Sequence, residues 1–88
     1  MSTKSLVYLD NSAWDYDDGV RLMTEGVVNF NGVRVARVGY YRRIPTENAY
    51  ARQDTVLLPF PGDGMRMRAD TLRTRVDAQR LAEAMENR

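Results

Sequence analysis

Asn31-Gly32 sits between two alternating runs, Val27-Val28-Asn29-Phe30 and Val33-Arg34-Val35. Both central residues of a type I′ turn need positive φ, which asparagine and glycine tolerate best. The dipeptide therefore predicts a two-residue hairpin and fixes its register. Phe30 falls opposite Val33, Val28 opposite Val35 and Asn29 opposite Arg34. Apolar side chains gather on one face, read here as the core face. A chain with this hairpin in its middle is committed to an antiparallel sheet.

A second hairpin follows from register. With Asp17-Asp18-Gly19 as a three-residue loop, Tyr16 faces Val20, Asp15 faces Arg21 and Trp14 faces Leu22. A two-residue loop sets Tyr16 against Arg21 and Asp15 against Leu22, a poorer match. Upstream, residues 5–10 read as a first strand, apolar on both faces, and Asp10-Asn11-Ser12 as a turn. Thr24-Glu25-Gly26 reads as a further turn.

The strand after Gly32 runs to about Arg43 and ends at Ile44-Pro45. Its alternation slips, since Val33 and Val35 are odd-numbered while Val38 and Tyr40 are even-numbered. A β-bulge near Ala36-Arg37 corrects the phase and puts those four residues in the core. Arg34, Arg37, Tyr41 and Arg43 then share the other face. Residues 45–54 read as a polar connection with one helical turn, 55–58 as a buried strand and 59–64 as a rigid loop. Ala78, Leu81, Ala82 and Met85 form a helical stripe, with Asp77 as the N-cap. Residues 65–76 fit either strands or an extension of that helix. A hairpin there sets Arg66 opposite Arg73, two like charges, so one helix from near Asp70 is favoured.

The expected fold is α+β. A small antiparallel β-sheet of four to five strands, with hairpins near 17–19 and 31–32, is packed on one face by one C-terminal α-helix. The other face is left to solvent or a partner. At 88 residues the chain fits a single domain over 1–88.

Composition narrows the chemistry. No cysteine means no disulfide, no thiolate nucleophile and no cysteine zinc site. No histidine removes the usual general base and the commonest metal ligand. The expectation is a non-enzymatic protein without cofactor or metal. Asp15-Tyr16-Asp17-Asp18-Gly19 with Glu25 approaches a calcium loop, but its glycine and glutamate each fall one position short. Pro61-Gly62-Asp63-Gly64 lacks the Gly-Lys-Ser/Thr of a phosphate loop. No apolar run is long enough to span a bilayer, and the N-terminal apolar stretch is too short for a signal peptide. The expected location is the cytoplasm of a bacterium or an infected cell.

Charge is segregated. Residues 1–30 carry a net −3, residues 31–53 a net +4, and residues 54–88 are neutral. Twelve of the 13 basic residues are arginine, a bias that a GC-rich genome or a surface making forked contacts would produce. Two candidate binding surfaces result. One is basic and aromatic: Arg34, Arg37, Tyr41, Arg42 and Arg43. The other is the acidic hairpin: Trp14, Asp15, Asp17 and Asp18, with Trp14 read as core or as an exposed anchor. Arginine interleaved with tyrosine suits protein interfaces and nucleic acid alike. The plainer alternative is a solvated strand neutralised by the chain's own acidic hairpin. The overall charge of +1 argues against a dedicated nucleic-acid binder.

The functional expectation is a small stoichiometric binder, an inhibitor from a phage or mobile element that blocks a larger host protein or nucleoprotein complex. The alternatives are a nucleic-acid binder using an Arg/Tyr-rich sheet face, and a self-assembling phage structural component. The last brings in a homodimer through an uncovered face or edge.

Overall fold

The structure, a computed structural model, describes residues 6–59 and 66–86. In chain order its strands are β1 (Leu6–Tyr8), β2 (Ser12–Asp15), β3 (Val20–Phe30), β4 (Val33–Ile44), β5 (Ala49–Pro59) and β6 (Arg66–Arg68). They are followed by one helix, α1 (Ala69–Glu86). The expected α+β architecture holds. Strands β2, β3, β4 and β5 form an antiparallel sheet in that order, and β1 pairs with β6 as a two-stranded ribbon.

Both hairpins form in the expected register. Asp15 pairs with Arg21 and Trp14 with Leu22, around Gly19 at φ 83°. Asn31 and Gly32 take φ 54° and 82°, and Phe30 pairs with Val33. Phe30 and Val33 are not core residues, however, being 53% and 57% exposed.

The cause lies at Thr24-Glu25-Gly26, which is not a turn. Strand β3 runs straight through it. Thr24 pairs with Val38 and Val27 with Ala36, so Glu25 and Gly26 stand against Arg37 alone. This is a β-bulge, made feasible by Gly26 at φ 108°. It belongs to β3, not to Ala36-Arg37 of β4, which pairs regularly with Leu57 and Leu58 of β5. An extra residue inverts every side chain beyond it. On β3, Val20, Leu22, Thr24 and Val27 therefore face the core, while Val28 and Phe30 turn to the opposite face with Arg21 and Met23. On β4, Ala36, Val38 and Tyr40 face the core in unbroken alternation. Val35 is buried as expected, at 8% exposure, but on the opposite face between Val28 and Pro59, and Val33 beyond it is exposed.

Residues 45–54 are not a helical connection. A short turn through Asn48 (φ 49°) leads directly into β5. The side chains of residues 49–52 are polar or small, but pairing with β4 supplies the backbone partners a strand needs. A second irregularity falls between Tyr40↔Asp54 and Tyr41↔Arg52, with Gln53 as the extra residue. In the 55–58 strand, Val56 and Leu58 are buried and Thr55 is exposed. The expected 59–64 loop lies outside the described residues apart from Pro59, which ends β5.

Helix α1 and the β1–β6 ribbon together form the second layer. Leu72 and Val76 of α1, and Val7 and Leu9 from and after β1, meet Leu22, Val38, Tyr40, Val56 and Leu58 in one core. Strand β1 is buried on one side only, with Leu6 and Tyr8 exposed. Buried Thr24 bonds the layers together: its hydroxyl donates to Tyr8 O at 2.6 Å and accepts from Ser12 N at 2.8 Å. The helix begins eight residues before Asp77, which is therefore mid-helix and not an N-cap. Its buried positions are Ala69, Leu72 and Val76. Leu81 and Met85 of the expected stripe are exposed.

Candidate functional site

The sheet face away from α1 carries two adjoining regions. At the β3–β4 hairpin end it presents Phe30, Val33 and Val28, with Leu57 and Pro59 of β5 alongside. Toward the other end it carries Arg21, Arg37, Tyr41, Arg43, Tyr50 and Arg52. The pairs Arg21↔Tyr41, Tyr41↔Arg52 and Arg43↔Tyr50 place these side chains in cross-strand contact on one surface.

Within the basic region the side chains are already ordered. Arg21 stacks on Tyr50 at 4.0 Å from the ring centroid and forks onto Asp15. Arg21 in turn holds the Asp15 carboxyl below its ordinary pKa through those hydrogen bonds. Arg52 lies over Tyr41 at 5.0 Å, donates to Thr55 Oγ1 at 2.7 Å and pairs with Glu25. The other carboxylate oxygen of Glu25 is enclosed without a hydrogen bond, and the Arg37 guanidinium faces it at 3.6 Å. Gly39 makes this packing feasible. A Cβ there would lie 2.9 Å from Tyr41 Cε1 and 3.0 Å from Glu25 Oε2. Each guanidinium–ring stack at such exposure contributes about 0.5–1 kcal/mol.

The structure splits the basic–aromatic set expected from sequence. Arg37, Tyr41 and Arg43 lie on the open face. Arg34 and Arg42 have the opposite parity and lie on the helix side. Arg42 donates to the Tyr40 hydroxyl at 3.4 Å, beside Arg80, which stacks on the same ring at 3.7 Å and pairs with Asp54. The expected bulge in β4 would have put Arg34 with Arg37, and its absence separates them. Arg21, Tyr50 and Arg52 were missed as site residues. The alternation Ala49-Tyr50-Ala51-Arg52 was the available signal, hidden by reading the segment as a connection.

The acidic hairpin is also divided. Asp15 belongs to the open face, and Asp18 forks onto Arg73 of α1 at 2.7 and 3.0 Å. Trp14 is half-buried against the core. Trp14, Asp15 and Asp17 line a cleft of about 370 Å³ with Tyr16, Ala69, Asp70, Arg73 and Thr74. Among the described residues no group of His, Cys, Asp or Glu is placed to hold a metal ion, and no helix is long and apolar enough to cross a membrane.

No protein-family model, curated protein or solved structure matches the chain. Its site is therefore read from its own chemistry.

Proposed function

We propose that the protein is a non-enzymatic binding module that acts stoichiometrically, docking its open sheet face on a larger protein. One observation carries this reading: the exposed apolar hairpin end is continuous with the Arg–Tyr cluster on a single sheet face, which no other element covers among the described residues. Exposed apolar side chains adjoining arginine and tyrosine are the composition of protein interfaces. Arg21 and Arg52 are each held by a ring stack and an ion pair, so docking does not order them anew and loses less side-chain entropy. The partner this face fits has an apolar patch with an acidic rim, since Arg21, Arg37, Arg43 and Arg52 outnumber Asp15 and Glu25. A stoichiometric inhibitor of a larger host protein, such as a phage or mobile element would carry, needs no more than one such face.

A second reading, nucleic-acid binding, draws on the same four guanidinium groups and on Tyr41 and Tyr50 as stacking platforms. A salt series separates the two. Fluorescence anisotropy with short mixed-sequence DNA and RNA is expected to show no binding at moderate salt, and retention of a cellular protein by the immobilised chain is expected to be lost in Phe30→Asp/Val33→Asp and in Arg37→Glu/Arg43→Glu. Tight nucleic-acid binding that weakens steeply with salt would replace the first reading with the second. Full retention by both folded double variants would remove the open face from the function.

A further inference from the structure

Helix α1 has two apolar faces, and the core uses one of them. Ala69, Leu72 and Val76 are buried against the sheet and ribbon, and Gln79, Arg80 and Glu83 continue the same side as half-buried polar residues. At 3.6 residues per turn, Ala78, Leu81, Ala82 and Met85 fall on the opposite side of the helix. All four are exposed, Leu81 and Met85 by 64% and 61%. Leaving two large apolar side chains that far in water, one turn apart on the outer face, is not what a solvated helix needs. Ala82 between them and Ala78 just before Leu81 keep the stripe low, so another helix can approach closely.

The charges along this stripe select the occupant. Arg75 and Glu86 lie on the same flank, one at each end, eleven positions or about 16 Å apart along the axis. Both are exposed, and neither takes part in an ion pair among the described residues. When two copies of this helix are laid antiparallel about a two-fold axis through the stripe, Arg75 of each copy comes to Glu86 of the other. Leu81 and Met85 of each then pack against the facing Ala78 and Ala82. The face is thus self-complementary, as a two-fold interface must be. A parallel pairing would carry this flank of one copy to the opposite side of the seam in the other, and Arg75 and Glu86 would then make no contact between copies.

We infer that α1 is the dimerisation element of this protein, pairing antiparallel with α1 of a second copy. The stripe lies on the far side of the molecule from the open sheet face. The dimer therefore carries two open faces on its outer sides, and binding by both at once would raise the avidity for a repetitive or symmetric partner. That last consequence rests on the reading of the open face; the self-association does not. The stripe supplies only four residues per copy, so the dimer is expected to be weak and concentration-dependent.

Sedimentation equilibrium over roughly 1–500 µM tests this. The wild type is expected to move from the 10.1 kDa monomer toward twice that mass. Leu81→Glu/Met85→Glu is expected to stay monomeric, with the far-UV circular dichroism of the wild type because both side chains lie outside the core. Arg75→Glu alone and Glu86→Arg alone are each expected to weaken association several-fold, and the double exchange Arg75→Glu/Glu86→Arg to restore it. A wild type that stays monomeric throughout overturns the inference. So does a dimer that survives Leu81→Glu/Met85→Glu, since it would use another surface. Failure of the double exchange to restore association overturns the antiparallel arrangement, and this arm remains decisive if the apolar variant does not fold.

Discussion

Arg73 in the second turn of α1 holds both carboxylate oxygens of Asp18, 55 residues earlier in the turn between β2 and β3. The same guanidinium bonds Asp77 at 2.9 Å and lies 5.3 Å from the centre of the Tyr16 ring. One side chain therefore fastens the first hairpin of the sheet to the helix layer. Its hydrogen bonds lower the Asp18 pKa from 3.8 to about 2. The folded state favours the charged carboxylate, so this contribution is complete above the ordinary pKa and fades as pH falls through about 2. Asp18 is over half exposed, and solvent screening limits the pair to about 1 kcal/mol or less. Asp18→Asn is expected to lower the melting temperature slightly at neutral pH. The gap to wild type is expected to close between about pH 4 and pH 2, as followed by thermal melts across that range.

Tyr16 makes the neighbouring link, donating its hydroxyl proton to Ala69 O at 2.6 Å. Burial pushes its pKa up to about 12, with the nearby Arg73 charge acting in the opposite direction. Here the folded state favours the protonated form. The stabilisation is complete below the ordinary pKa of 10 and is lost as pH rises from there through about 12. Tyr16→Phe is expected to cost about 1 kcal/mol at neutral pH, the net value of one hydrogen bond. The variant is also expected to lose less stability than wild type between about pH 10 and 12, as read from urea midpoints.

Gly39 holds open the space into which Tyr41, Glu25 and Arg52 fold. In Gly39→Ala the three atoms nearest the new methyl group all belong to side chains, Tyr41, Glu25 and Arg52. The fold is therefore expected to survive with the Tyr41–Arg52 stack displaced. Retention of the partner is expected to fall while the circular dichroism spectrum stays that of the wild type. A Gly39→Ala variant with wild-type retention would show that the ordering of this cluster is irrelevant to binding.

Gly26 is a different case, because space is not the obstacle. A Cβ there would come no nearer than 4.0 Å to Asp10 O, but φ 108° strains any L side chain. Gly26→Val is expected to cost about 1–3 kcal/mol by denaturant unfolding. Its NMR amide shifts are expected to move most from Leu9 to Val28, since Gly26 N donates to Leu9 O at 3.2 Å.

Much of the architecture was legible in the residues themselves. Gly19 and Asn31-Gly32 fixed both hairpin registers because positive φ is a local demand that few residues meet. The choice of a helix from near Asp70 was also correct, since a hairpin there would have opposed Arg66 and Arg73. The candidate site was legible only in part. Arg37, Tyr41 and Arg43 lie together as expected, while Arg34 and Arg42 do not. Tyr50 and Arg52 joined the site only because a segment read as a connection proved to be an edge strand.

The sequence by itself determined the hairpin turns, the helix and the antiparallel class, all of which depend on backbone preferences within a few residues. Only the tertiary structure decided which face each strand residue occupies. The same letters, Thr24-Glu25-Gly26, can end a strand or bulge it, and the choice depends on whether β4 and the ribbon offer hydrogen-bond partners on either side. They do: Val38 and Ala36 bracket the segment from β4, while Tyr8 O and Leu9 O accept from Thr24 and Gly26. Because side chains alternate with a period of two, that single extra residue moved Val28 and Phe30 out of the core and onto the open face, beside the arginines.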